Sequence, residues 1–275
     1  MTAVRLVWLV GMLAVVSLPG RAQSTYDLYG NARADGLANG TTARPTAVGV
    51  QANPAARAGL GAPTVLFYAR QNYGLAALRY GAAHVAVPVG WGTLSTGLST
   101  FGFEDYREVH ASAGYARALQ FGTARAVRGG ATLRYYHTSI AGYGRASALG
   151  LHLGLGVTLL RSLHLGAHAT NVNGTRLVEG EPIPRTLAVG LYYEAAPPVH
   201  VMVDLFKDVR FPATVRGGIE VRPVDALFLR AGVTTTPARF TGGVGVRLGP
   251  VDAHVAAEQH RDLGWSPSVT LRLRW

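Results

Sequence analysis

The chain has no cysteine among its 275 residues, so neither a disulfide nor a thiolate metal site can hold any part of it together. Lysine is nearly missing as well: Lys207 is the only one, and all other positive charge is arginine. The longest apolar run, Leu6–Leu18, is shorter than the roughly 20 residues a membrane-crossing helix needs. No segment carries a long helical stripe. A disulfide scaffold and a bundle of membrane helices are both excluded by these absences. The formal charge of +11 would ordinarily suggest nucleic acid as a partner. The arginines, however, lie singly along alternating segments and not in a run, so no nucleic-acid partner is expected.

Residues 1–22 read as an export signal. Arg5 supplies the positive start, Leu6–Leu18 the apolar centre, Pro19 a helix breaker and Gly20-Arg21-Ala22 a small-residue cleavage site. Cleavage before Gln23 leaves 253 of the 275 residues, and loss of Arg5 and Arg21 lowers the charge by two, to +9.

What the rest of the chain has is a period of two. In Ser147–Leu160, Leu149, Leu151, Leu153, Leu155, Val157 and Leu159 share one face, and Gly150, His152, Gly154, Gly156 and Thr158 the other. Val199, Val201, Val203 and Leu205 alternate in the same way with His200, Met202, Asp204 and Phe206. Successive side chains of a strand point to opposite faces, so this alternation predicts strands. Fourteen such segments follow one another, starting near residues 64, 76, 90, 106, 126, 147, 162, 185, 198, 213, 225, 239, 250 and 266.

The connections alternate too. Longer ones at His260–Ser266, Thr234–Arg239, Lys207–Pro212, Val172–Pro184 and Thr138–Ala146 are interleaved with short ones around Gly249-Pro250, Pro223-Val224, Pro197 and Arg161. Transmembrane barrels have long outer loops and tight periplasmic turns. The connection near Leu119–Ala126 is longer than that rule predicts. A soluble β-sandwich would also alternate, with a polar face rich in Lys, Glu, Ser and Thr. Here that face carries glycines and single arginines, charged residues are only 15%, and mean hydropathy is positive at +0.17. The expected fold is therefore all-β: a closed antiparallel transmembrane barrel of about fourteen strands over residues 63–275, in a bacterial outer membrane.

In the last segment Val269, Leu271, Leu273 and Trp275 share a face opposite Thr270, Arg272 and Arg274. It resembles the signal by which the barrel-assembly machinery recognises outer-membrane proteins, and a terminal Trp suits the membrane interface. Gln23–Ala62 lacks alternation and is rich in Gly, Ala, Asn and Thr. It reads as a plug-like segment, inside the barrel or against its periplasmic mouth.

Arg134, Asp204, Arg216, Glu220, Arg230, Arg247, Asp252, Glu258, Arg272 and Arg274 should face the lumen and pair there. Intramembrane charges are functional candidates, or they brace the interior. His164 and His168 share a face but stand roughly 13 Å apart on a strand, too far to share a metal ion. The clusters Gly154-Leu155-Gly156 and Gly242-Gly243-Val244-Gly245 lack the strand-to-helix setting of a dinucleotide loop and leave space inside a narrow barrel. Ser112 with His110 is the nearest local pair to a nucleophile and base, and nothing around it suggests more. Neither enzyme activity nor a cofactor is expected.

The stretches Asn31–Gly40 and Gln51–Ala56, with Asn53-Pro54-Ala55 at the centre of the second, resemble the opening of FadL/PorV-type outer-membrane proteins. Ile183–Leu191 and Gly218–Gly232 resemble later strands of that family. The resemblance implies a monomeric fourteen-stranded barrel, partly plugged by its N-terminal segment. It implies either passive transport or binding of small hydrophobic molecules, or binding of cargo proteins as an accessory of a type IX secretion system. A structural barrel without flux is the third reading. Besides any such ligand, the surroundings would be outer-membrane lipid and lipopolysaccharide.

Overall fold

A computed structural model of the chain describes residues 28–122, 125–178 and 181–275, so the expected signal peptide lies outside the described residues. Fourteen strands form one closed antiparallel barrel. They are β1 (Thr64–Gln71), β2 (Arg79–Val89), β3 (Gly92–Gly102), β4 (Tyr106–Phe121), β5 (Arg125–Ile140), β6 (Gly144–Leu160), β7 (Leu163–Ala169), β10 (Thr186–Ala196), β11 (Val199–Asp208), β12 (Thr214–Val224), β13 (Leu227–Thr235), β14 (Ala238–Leu248), β15 (Val251–His260) and β16 (Gly264–Arg274). A separate two-stranded hairpin, β8 (Arg176–Val178) and β9 (Glu181–Pro182), sits in the connection between β7 and β10. Every barrel strand pairs with its neighbour in sequence once that hairpin is set aside, and β1 closes on β16 from Thr64↔Arg274 to Arg70↔Ser268. Closure leaves no unpaired edge.

Each barrel strand begins within three residues of its expected start. The connection near Leu119–Ala126 differs from the sequence reading: β4 runs on to Phe121 and β5 starts at Arg125, so most of that stretch is strand. β4, β5 and β6, at 16, 16 and 17 residues, are the longest strands, and β7 beside them has only 7. The upper edge of β6 would be left unpaired. The 170–185 connection covers it instead: Leu151 N donates to Asn173 Oδ1 (2.9 Å), Val172 N to Leu151 O (2.8 Å), and Asn173 Nδ2 to Leu149 O (2.8 Å).

The alternation sorts side chains as a membrane barrel requires. In β13, Leu229, Ala231 and Val233 face out, while Phe228, Arg230, Gly232 and Thr234 are buried inside. The outer surface is a band of Leu, Val and Ile, including Leu98, Leu153, Leu187, Leu205, Ile219 and Leu271, each 41–58% exposed. Trp91, Tyr115, Phe121 and Trp275 ring the short-turn end, and Phe103, Tyr143, Phe211, Phe240 and Trp265 the opposite end. An apolar band between two aromatic girdles is the surface of a barrel that sits in lipid. Val269, Leu271, Leu273 and Trp275 all lie on this outer face, and the Trp275 amide bonds Pro63 O at 3.3 Å.

A closed barrel resists detergent unless heated. Unboiled and boiled protein are therefore expected to run at different positions on a dodecyl sulfate gel, and a single mobility in both would contradict the closed barrel.

Candidate functional site in the barrel lumen

Residues 28–62 occupy the lumen, and their polar backbone decides what the wall must offer. Asn31 caps the one-turn helix α1 (Ala32–Asp35) by accepting from Ala34 N at 2.7 Å, and its amide donates to Val48 O at 2.8 Å. Wall side chains receive other amides: Ala32 N donates to Thr270 Oγ1 (2.7 Å), Ala38 N to Thr241 Oγ1 (3.1 Å) and Thr42 N to Asp204 Oδ2 (3.0 Å). Asn53 opens a 3-10 turn over Pro54–Gly59. Its carbonyl oxygen accepts from Ala55 N (3.0 Å) and its amide reaches Thr42 O (2.7 Å), Leu155 O (3.1 Å) and Ala167 O (3.2 Å). One side chain thus joins the turn to β6, to β7 and to another part of the lumenal segment.

The wall also makes room. A Cβ on Gly154 would lie 2.0 Å from Asn53 Oδ1 and 2.8 Å from Ala55 N, and one on Gly166 would lie 2.4 Å from Thr42 O. Only glycine lets the lumenal backbone approach this closely.

Ion pairs complete the interior. Glu220 alone serves Arg33 Nη2 (2.5 Å), Arg44 Nη2 (3.2 Å) and Arg230 Nε (2.6 Å). Asp252 serves Arg247 (3.0 Å), Arg274 (3.4 Å) and Arg272. Nearer the other end, Arg70 bridges Asp35 (3.5 Å) and Glu258 (3.0 Å), and Arg239 adds to Glu258 at 3.3 Å. Tyr68 Oη donates to Asp35 Oδ2 at 2.7 Å. Burial pushes the Asp35 carboxyl up from its ordinary value, and Arg70 and Tyr68 pull it back down. Burial lowers the Arg57 guanidinium to about 10, and neighbouring Arg134 acts in the same direction.

All ten sequence-selected ions face the lumen, but they do not form one cluster. Glu220 and Arg230 meet, as do Asp252, Arg247, Arg272 and Arg274. Asp204 stands opposite Arg216 in register, and the Arg216 guanidinium lies 3.6 Å from the Phe206 ring centroid. Among the described residues Arg134 forms no ion pair with a carboxylate, and its Nη2 donates to Val50 O at 2.9 Å. Pro54 and Ala55 are buried in the 3-10 turn beside Asn53. Sequence reasoning missed Arg33, Asp35, Arg44 and Arg57, because the lumenal segment has no alternation to say which way a side chain points. It also missed Arg70 and Arg239 at strand ends. His164 bonds Thr158 Oγ1 at 2.9 Å, whereas His168 lies beside His152, their rings 6.3 Å apart. Ser112 Oγ donates to Gly97 O at 3.3 Å, while His110 meets Glu108 at 3.5 Å. Among the described residues no group of three or more metal-ligating side chains occurs.

Above the 3-10 turn, on the long-connection side, lies a small cavity of about 50 Å³. Tyr106, Tyr136 and His152 line it with Leu177, Ile183 and Pro184 from the folded-in connection. Tyr136 Oη and His152 Nε2 are hydrogen-bonded at 2.9 Å, and the rings of His110 and Tyr136 meet edge to face at 4.8 Å. Gln51, Glu108, Thr138 and Thr170 line it as well, so ring faces and aliphatic carbon share the wall with a few polar groups.

Searches of known proteins return structural matches alone: no family model and no curated protein matches the chain. The structure of the CymD monoaromatic hydrocarbon channel matches over 90% of this chain and 98% of its own, at TM-score 0.63 and 13% identity. A monoaromatic hydrocarbon channel variant, the TodX deltaS2S3 mutant, matches over the same shares at TM-score 0.59 and 11% identity. The Ralstonia pickettii toluene transporter TbuX matches over 81% and 92% at TM-score 0.57 and 13% identity. The fold is that of these channels.

Glu220 compensates three guanidiniums, so its loss leaves them facing one another. Glu220→Gln is expected to lower the urea midpoint of the folded barrel by the equivalent of up to about 3–5 kcal/mol, less what nearby water recovers. Tryptophan fluorescence in vesicles would follow the transition, and an unchanged midpoint would show that the network contributes nothing.

Proposed function

We propose that the protein is a bacterial outer-membrane barrel that binds small apolar molecules at its outer mouth and passes them inward passively. The observation that carries this reading is the cavity lined by Tyr106, Tyr136, His152, Leu177 and Ile183 at the long-connection end of the lumen. Binding sites for small molecules are concave and mostly apolar, with few polar groups. The channels that share the fold are described as channels for monoaromatic hydrocarbons or transporters of toluene. Topology supports the orientation, since the cavity lies on the side of the longer connections.

In this reading residues 28–62 are a plug. Passage past Asn53 and Pro54–Gly59 requires that turn to move, because Gly154 and Gly166 are already in contact with the lumenal segment. The cargo-binding alternative finds less to rest on. The described residues of the largest outer connection, 170–178 and 181–185, are held down on β6 by Asn173 and folded around buried Asn171.

Two measurements test the proposal. Toluene titrated into the detergent-folded protein should give saturation-transfer NMR signals, and Ile183→Arg, which places a charge in the cavity wall, should abolish them. Absence of transfer in the unaltered protein rejects the cavity as a binding site. In planar bilayers the intact protein should conduct poorly, and Gly154→Val, which drives a side chain into the Asn53 turn, should raise conductance. A large stable pore in the intact protein rejects the plug.

A further inference from the structure

The short-turn end of the barrel holds a second cavity, of about 300 Å³, whose lining is dominated by cations. Six guanidiniums line it: Arg33 and Arg44 from the lumenal segment, and Arg222, Arg247, Arg272 and Arg274 from β12, β14 and β16. Glu220 is the only carboxylate among the described lining residues. Asp252 stands behind the wall of the cavity, already shared by Arg247, Arg272 and Arg274. Glu220 is likewise shared by Arg33, Arg44 and Arg230.

Bracing alone does not account for this arrangement. A network that only fills space is most stable when its charges balance, since uncompensated buried charge is costly. Here two carboxylates face six guanidiniums in direct contact, and Arg222 adds another cation at the rim. Donors are also left over. Arg44 is 7% exposed, and while its Nη2 meets Glu220, its Nη1 is buried with no partner. Arg274 Nε is buried without a partner as well. The side chains of Arg247 and Arg274 are about one-third exposed, at 31% and 34%, so the cavity is reached from solvent. Guanidinium forks match oxyanions, which accept several charge-assisted hydrogen bonds at once.

We propose that this vestibule binds a multivalent oxyanion of the phosphate class, which ties Arg44 on the lumenal segment to Arg247 and Arg274 on the wall. The anion supplies the missing negative charge, and it joins the segment to β14 and β16 by contacts that the protein alone does not make. The site does not depend on what enters the outer cavity. Its ligand is either free phosphate or the phosphoryl headgroup of a lipid.

The test uses the full-length barrel folded in a non-ionic detergent, with inorganic phosphate titrated calorimetrically at constant ionic strength. Glycerol phosphate, as a headgroup probe, is titrated in parallel, and chloride is the control. Saturable binding of phosphate is expected, weakened at least about tenfold in the double variant Arg44→Gln/Arg274→Gln, since each lost charge-assisted bond is worth about that much. Arg33 and Arg230 still compensate Glu220 in that variant, and Arg247 and Arg272 still compensate Asp252. Heat-dependent gel mobility shows that it is folded. Should the double variant not fold, Arg222→Gln, which removes a rim cation, takes its place with the same expected direction. Arg107→Gln, exposed at the far end, should bind as the unaltered protein does. Binding of glycerol phosphate in preference to phosphate supports the site and assigns it to a headgroup. Absence of saturable binding by either probe, or equal affinity in the folded variants, overturns the proposal.

Discussion

Closing fourteen strands leaves an interior that has to be filled, and here the chain fills it with its own residues 28–62. Everything else in the lumen follows from that. Irregular backbone inside a barrel needs a partner for each N–H and C=O, and each buried group left without one costs about 1–3 kcal/mol. The wall answers with short acceptors, Thr241, Thr270 and Asp204, placed where Ala38, Ala32 and Thr42 present their amides. Where the segment comes closest the wall has no side chain at all, as at Gly154 and Gly166. The glycines and the hydroxyls on the inner face are two responses to one packing problem.

The scarcity of carboxylates gives the interior its second property. With 15 acidic residues against 26 basic ones, and the basic ones nearly all arginine, pairing one to one is impossible. Glu220 and Asp252 therefore become hubs. A hub concentrates dependence: losing one arginine leaves two still paired, whereas losing the carboxylate exposes all three. Arginine suits such sharing better than lysine, because its planar fork offers five donors in fixed directions.

The barrel was legible in the sequence because its determinants are local. Alternation in Ser147–Leu160 needs no knowledge of any other strand, and the tight turns at Gly249-Pro250 and Pro197 announce themselves. Inward ions such as Glu220 and Asp252 were legible for the same reason, since strand parity fixes their face. Their partners were not. Arg33 reaches Glu220 across 187 positions of sequence, and no periodicity in residues 28–62 says that it should. The Leu119–Ala126 stretch misled because Gln120 and Arg125 look like loop residues, although Gln120 lies on β4 and Arg125 on β5. The β8–β9 hairpin left no signal either. It forms because β7 is short and the edge of β6 must be covered.

The two halves of the lumenal segment are held by different forces, and that difference bears on how a plugged barrel could pass a guest. Residues 31–44 are fixed by charge: Arg33 and Arg44 on Glu220, Asp35 on Arg70. Residues 49–59 carry Arg57, which donates to Thr132 Oγ1 at 2.7 Å, and the Asn53 contacts, all to neutral acceptors. The Arg57 bond has a charged donor and contributes about 1.5–3 kcal/mol net, whereas each neutral bond of Asn53 contributes about 1. The half without ion pairs is also the half beneath the outer cavity, and it faces Arg134, which among the described residues forms no ion pair with a carboxylate. Passage as proposed needs the 3-10 turn to yield and breaks no described ion pair, while the α1 half stays anchored at the wall. The anchored half also borders the arginine-rich cavity at the short-turn end, where Arg33, Arg44 and their shared partner Glu220 are all in the lining.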